Sequence, residues 1–317
     1  RLGVWVDGRF SWVTRSAWDI KINCEPNALI GELEALNHEL GISISGKATV
    51  YNEKNIYMRK LDIRNDHGTE REVTIYFAHE FQIYESHRGD TAYYDPIHKV
   101  VIHYKGRRVF LANALSGKNF FDDFTTGVFG IEGKEGSFKD AEDGELSRNP
   151  IEHGQSDSVI SLSLKLKAGE EGSVYYWMCV AESLKEIHDL NHYVLERGPE
   201  HLLRTTHDFW KAWITKYKFN FKGLSSDIAA LFSKSLFYIR SHVDSGGAII
   251  ASGDTGLLHS GKDTYAYMWP RDASFAAMAL DQAGDPNVAR RFFEFCNDVI
   301  SDEGYFIRSL YFDSINN

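Results

Sequence analysis

Apolar and polar residues alternate with a period of two through much of the first 180 residues, and the period lengthens to that of a helix afterwards. Val73, Ile75, Phe77, His79, Phe81 and Ile83 alternate with Thr74, Tyr76, Ala78, Glu80 and Gln82, which predicts a strand with one face in a core. Ile160, Leu162, Leu164 and Leu166 alternate in the same way with Ser161, Ser163 and Lys165. Hairpins are predicted at 4–13, around the Asp7-Gly8 dipeptide that tolerates positive φ, and at 100–112. The stretch 116–157 lacks alternation, is rich in Gly, Asp and Glu, spaces Gly127, Gly130, Gly133 and Gly136 by three, and reads as a long surface loop. Many strands without intervening helices predict a large antiparallel sandwich.

After about residue 180 the pattern becomes helical. Leu202, Leu203, Phe209, Trp210 and Trp213 predict a connecting helix from Gly198-Pro199 to Tyr217. A second helix starts at Ser225, with Ile228, Leu231, Phe232, Leu236 and Ile239 on one face. Pro270 opens a third and Gly284 stops it. Asp285-Pro286 caps and opens a fourth, whose apolar face carries Val288, Phe292, Phe295, Cys296, Val299 and Ile300. The expected organisation is a β-sandwich domain at 1–190, a helical linker at 191–222 and a helical domain from 223 to 317. The apolar faces of the last three helices outnumber the partners available to close a core, and the sequence begins with Arg1, so the chain is expected to be part of a longer protein.

Composition narrows the class. Asp and Glu number 45 against 35 Lys and Arg, and the net charge of −10 repels phosphate backbones and anionic lipid, so neither nucleic acid nor a membrane is an expected partner. No run approaches the roughly 20 apolar residues of a spanning helix, the start lacks the apolar core of a signal peptide, and no Asn-x-Ser/Thr acceptor occurs, which points to a cytoplasmic location. Cys24, Cys179 and Cys296 are odd in number and far apart, so they read as reduced thiols and neither a disulfide framework nor a zinc site. No cofactor is expected. The aromatic share, 14%, is high and fits either a large sandwich core or stacking on sugar rings.

Three segments invite a chemical reading. Gly256 to Asp263 approaches a phosphate-binding loop, but Asp263 stands where a magnesium-ligating hydroxyl belongs. His188 and His192 have the i, i+4 spacing of a helical metal site, but Asp189 replaces the glutamate of a metalloprotease helix, so they read as an ordinary surface pair. The third segment, Tyr265-Ala-Tyr267-Met-Trp269-Pro270-Arg271-Asp272, runs alternating aromatics into a helix start that carries adjacent Arg and Asp. A carboxylate and a guanidinium grip neighbouring hydroxyls, and aromatic walls cover the apolar face of a sugar ring. The same residues also fit a simple ion pair at a helix start with the aromatics in a core.

The Tyr-x-Tyr-x-Trp-Pro-Arg-Asp run of 265–272, preceded by Gly246-Gly247-Ala248-Ile249-Ile250-Ala251, resembles the signature of glycoside hydrolase family 15, which contains glucoamylases, glucodextranases and some trehalases. The resemblance implies an N-terminal β-supersandwich, a helical linker and the first helices of an (α/α)6 catalytic barrel. It implies inverting exo-hydrolysis of α-glucosidic bonds from the non-reducing end of an α-glucan or α-glucoside. Tyr265, Tyr267, Trp269, Arg271 and Asp272 would then bind the terminal glucose. The general acid and base would be glutamates downstream of Asn317, because Glu294 and Glu303 come too early for either role, and 1–317 alone would be inactive. Residues 307–314 depart from the family pattern. The sandwich shows no tight acid pair or metal cluster in its sequence and is expected to support the barrel. The alternatives are an inverting disaccharide phosphorylase of the same plan and a non-catalytic carbohydrate-binding or assembly protein.

Overall fold

The first turn sets the register of the sandwich. Asp7 and Gly8 both take positive φ, 51° and 73°, which joins β1 (Leu2–Val6) to β2 (Arg9–Trp12) in a tight hairpin. The structure is a computed structural model that describes residues 1–85, 88–131, 133–216, 219–253, 267–302 and 304. The next strands are β3 (Asp19–Cys24), β4 (Gly31–Asn37), β5 (Ile42–Val50), β6 (Ile56–Asn65) and β7 (Arg71–Glu80). They are followed by β8 (Asp90–Asp95), β9 (Val100–Lys105), β10 (Arg108–Ser116), β11 (Asn119–Phe120) and β12 (Asp123–Val128). The last are β13 (Ile151–Gly154), β14 (Ser156–Leu166) and β15 (Glu171–Ala181). All pairings are antiparallel. A smaller sheet has the order β12-β14-β7-β1-β2, and a larger one the order β13-β8-β9-β10-β15-β6-β5-β4-β3, with β11 attached to β10.

Alternation along single strands builds three layers. On β15, Val174 and Tyr176 enter a core shared with Val4, Val73, Ile75, Ile160 and Leu162 of the smaller sheet. The intervening Trp177 and Cys179 point the opposite way, into a second core closed by Ile187, Leu190, Val194, Leu202 and Leu203 of two helices. These are α1 (Leu184–Arg197) and α2 (Pro199–Thr215). Ser183 caps α1 by accepting the Glu186 N–H, so helix begins six residues before the expected boundary at 190. Within this second core Asn191 Oδ1 accepts from Trp177 Nε1 at 2.9 Å and Asn113 Nδ2 at 3.3 Å.

The expectation of a surface loop over 116–157 is overturned. The stretch contains β11, β12 and β13, and a 3-10 turn at Ser137–Asp143 folds over the outer face of the smaller sheet. Ala141 and Leu146 pack there on Tyr76 and Val159, and Tyr76 donates its hydroxyl to the Gly144 carbonyl at 2.7 Å. Two corrections apply to the predicted strand at 73–83: it ends at Glu80, and Ile83 lies in a short 3-10 turn; Tyr76 is buried although it occupies the face expected to be polar.

Contacts divide the chain into two units, one of residues 1–25 with 30–209 and one of 26–29 with 210–317. The second unit contains α3 (Ser226–Ser241), α4 (Pro270–Gln282) and α5 (Pro286–Val299). Ser225 caps α3 through its hydroxyl, as its position predicts. Asp285 does not cap α5, because its carboxylate accepts the indole N–H of Trp213 at 3.0 Å. Trp210 and Trp213 pack on Phe237 of α3, while Leu280, Val288, Phe292 and Phe295 are buried on α4 and α5. Other apolar residues remain in water: Leu231 is 64% exposed, Phe275 65% and Phe293 61%.

Candidate functional site

Pro270 fixes the start of α4, since its ring presets helical φ and its missing N–H falls where no intrahelical acceptor exists. Trp269 therefore takes the extended N-cap position, and Arg271 and Asp272 sit in the first turn. The positive end of the helix favours a carboxylate there. Arg271 Nη2 lies 3.2 Å from Asp272 Oδ2, and both side chains face solvent. The pair leaves donor and acceptor atoms open to solvent.

The aromatics divide. Tyr267 and Trp269 are half-buried, and Met268 between them is fully buried. Tyr265 lies outside the described residues, as does the whole Gly256–Asp263 segment.

The glycine-rich run is the scaffold beneath this segment. Ile250 bridges Met268, and Ala251 N donates to the Tyr267 carbonyl at 3.0 Å. At the other end of the run the Ala248 N–H donates to Asp244 Oδ1 at 2.8 Å. Burial raises the Asp244 carboxyl pKa, and the backbone amides of 246–248 together with the Arg291 charge oppose that rise. Gly247 has φ +101°, and a Cβ there would lie 2.3 Å from the Arg291 carbonyl oxygen, so only glycine lets the run pass under α5. The structure thus brings 246–251 and 267–268 together and leaves Arg271 and Asp272 exposed on the first turn of α4.

No acid pair forms around this segment among the described residues. Glu294 is occupied on the α5 surface by Arg290, 2.6 Å away, and Glu303 lies outside the described residues. A cleft of ≈ 530 Å³ opens in the sandwich, lined in part by His79, Phe81, Tyr176 and Met178. Beside it the Ser158 hydroxyl is within hydrogen-bond distance of His79 Nδ1 (3.0 Å) and His103 Nε2 (2.7 Å).

One cluster escaped the sequence reading. Asp95, His98 and His188 place one ligand atom each within 4.8 Å of one another. His188, read with His192 as an ordinary surface pair, is mostly buried and stacks on His98 of the turn between β8 and β9.

No family model matches the chain. It is 24% identical over 321 residues to an uncharacterized glycosyl hydrolase of Methanocaldococcus jannaschii, a match that covers 96% of the chain and 48% of that protein. A bacterial glucoamylase solved with acarbose superposes with a TM-score of 0.76 at 17% identity, over 98% of the chain and 46% of the glucoamylase. A protein from the human microbiome proposed to be a kojibiose phosphorylase superposes at 0.59 with 9% identity, over 93% and 38%. The chain spans about half the length of the glycosyl hydrolase and the glucoamylase. Its fold, a mostly antiparallel β-sandwich with helices, is similar to that of the glucoamylase. No described helix is long and apolar enough to cross a membrane.

Proposed function

We propose that the chain is the sandwich, linker and first barrel helices of an inverting, exo-acting α-glucoside hydrolase of the glucoamylase type. The observation that carries this reading is the start of α4, where Trp269, Arg271 and Asp272 stand on a proline-fixed helix start that follows a segment bridged to the glycine run. In this reading Asp272 accepts from two sugar hydroxyls, Arg271 donates to the same ring, and Tyr265, Tyr267 and Trp269 wall the pocket for the terminal glucose. The exposed Leu231, Phe275 and Phe293 support completion of the (α/α)6 barrel by further helices. The catalytic glutamates belong to that remaining part, and the substrate is an α-glucan or α-glucoside.

The superposition on the phosphorylase-like chain favours a second reading, in which phosphate replaces the activated water. The test is to incubate the full-length protein with maltose, isomaltose, trehalose and kojibiose, with and without inorganic phosphate. Glucose released without phosphate supports hydrolysis. Sugar phosphate formed only when phosphate is present supports the second reading, and no turnover of any α-glucoside supports a binding protein.

A further inference from the structure

We propose that Asp95, His98 and His188 bind one divalent cation of the zinc class, which ties the β8–β9 turn to helix α1. The carboxylate is already seated. Asp95 ends β8, and its Oδ1 accepts the backbone N–H groups of Ile97 (2.9 Å) and His98 (3.3 Å). That turn, completed by Lys99 at φ 53°, leaves Oδ2 facing two imidazoles. His98 Nδ1 lies 2.7 Å from Oδ2 and His188 Nε2 lies 3.4 Å from it. The two rings stack with centroids 3.8 Å apart and planes 24° from parallel.

These separations suit a tetrahedral centre. Zinc bound to nitrogen and oxygen at about 2.0–2.1 Å sets neighbouring ligands roughly 3.3 Å apart. The His188–Asp95 distance already has that length; the His98 ring must draw back from Asp95 and also open away from its stack on His188, since two imidazoles on one tetrahedral ion hold their centroids roughly 5 Å apart. It is free to do so, because its side chain is 44% exposed while those of Asp95 and His188 are 12% and 20% exposed. The open side leaves a fourth position for water.

The donor set also chooses the metal. Two imidazole nitrogens and one carboxylate suit zinc, cobalt or nickel, whereas calcium and magnesium need shells of oxygen. His188 is held by α1, whose Ile187 and Leu190 are buried against the larger sheet. Among the described residues His188 Nδ1 has no acceptor, so the outer hydrogen bond that strengthens most histidine–metal bonds is not formed there. The expected affinity is therefore weaker than that of a closed structural zinc site.

The experiment uses the tag-free full-length protein, stripped with chelator and titrated calorimetrically with zinc chloride, and then with calcium and magnesium chloride. One equivalent of zinc should bind, raise the melting temperature, and leave calcium and magnesium without effect. His98→Gln and His188→Gln should each weaken zinc binding at least tenfold, while His192→Gln, one turn further along α1, should leave it unchanged. Cobalt supplies a second readout, because its visible absorption reports four-coordinate nitrogen and oxygen ligation even in a variant of altered stability. Equal zinc affinity in wild type and both variants, loss of binding in His192→Gln alone, or no tetrahedral cobalt spectrum would overturn the site.

Discussion

Gly247 and Arg291 approach so closely that a methyl group on the glycine would overlap the arginine carbonyl, 2.3 Å away. The glycine run that precedes the candidate sugar site is thereby locked to α5. Gly247→Ala adds a strained backbone at φ +101° to a contact with main chain that cannot yield, so a loss of about 2 kcal/mol or more is expected. Urea unfolding followed by tryptophan fluorescence checks it. An unchanged midpoint would show that the run is not fixed by this contact.

Asn191 serves two donors from the larger sheet, Trp177 Nε1 and Asn113 Nδ2, and all three residues are buried. Asn191→Leu keeps the volume and leaves both donors without this acceptor, at about 1–3 kcal/mol for each. The expected outcome is a sandwich with native secondary structure by circular dichroism and a clearly lower denaturation midpoint. Stability equal to wild type would mean that water replaces the amide oxygen.

Acid should weaken the sandwich. Burial holds His103 down to about 3, and burial with the His103 charge holds His79 well below its ordinary value. The unfolded chain binds these protons below about pH 6.5, so the stability contributed by the neutral rings is full above that pH and is lost as pH falls toward 3. Asp157 opposes this, since burial pushes it up to about 6; its contribution is present below the unfolded carboxylate pKa and lost as pH rises through 6. Two histidines against one carboxylate decide the sign. The urea midpoint should be lower at pH 5 than at pH 7.5, and His103→Gln should narrow the difference. A midpoint that rises on acidification would contradict the balance.

Asp272 faces solvent on the first turn of α4, so Asp272→Asn should leave stability nearly unchanged. If the full-length protein binds sugar as proposed, the change removes charge from hydrogen bonds worth about 1.5–3 kcal/mol, a fall of roughly ten- to a hundredfold in kcat/KM. Arg271→Lys should cost less, because one donor remains. Wild-type turnover on maltose, isomaltose and trehalose with the fold intact would reduce Arg271 and Asp272 to an ion pair at a helix start.

Much of this arrangement is written in local pattern. The strands around Ile75 and Leu162, the Asp7-Gly8 hairpin, the Ser225 cap and the Pro270 start depend on residues close in sequence and form where the pattern predicts, except that the strand at Ile75 stops at Glu80. β12 was hidden because Asp123-Phe-Thr-Thr-Gly-Val is a short edge strand with little apolar alternation. The cap at Asp285 failed because Trp213, remote in sequence, takes its carboxylate. Ser183 and Glu186 did carry a helix-start signal for α1, although the linker was expected later. The Asp95, His98 and His188 cluster joins a hairpin turn to a helix, so no spacing within either segment reveals it.

The measurement that bears most directly on the proposed activity is proton NMR of the sugar first released by the full-length protein from maltotriose in phosphate-free buffer. Inversion at an α-linkage by a glutamate pair about 6.5–9.5 Å apart yields the β-anomer before mutarotation. β-Glucose appearing first, with maltose as the other product, is the predicted result. α-Glucose appearing first, cleavage within the chain, or no release without phosphate would contradict an inverting exo-hydrolase.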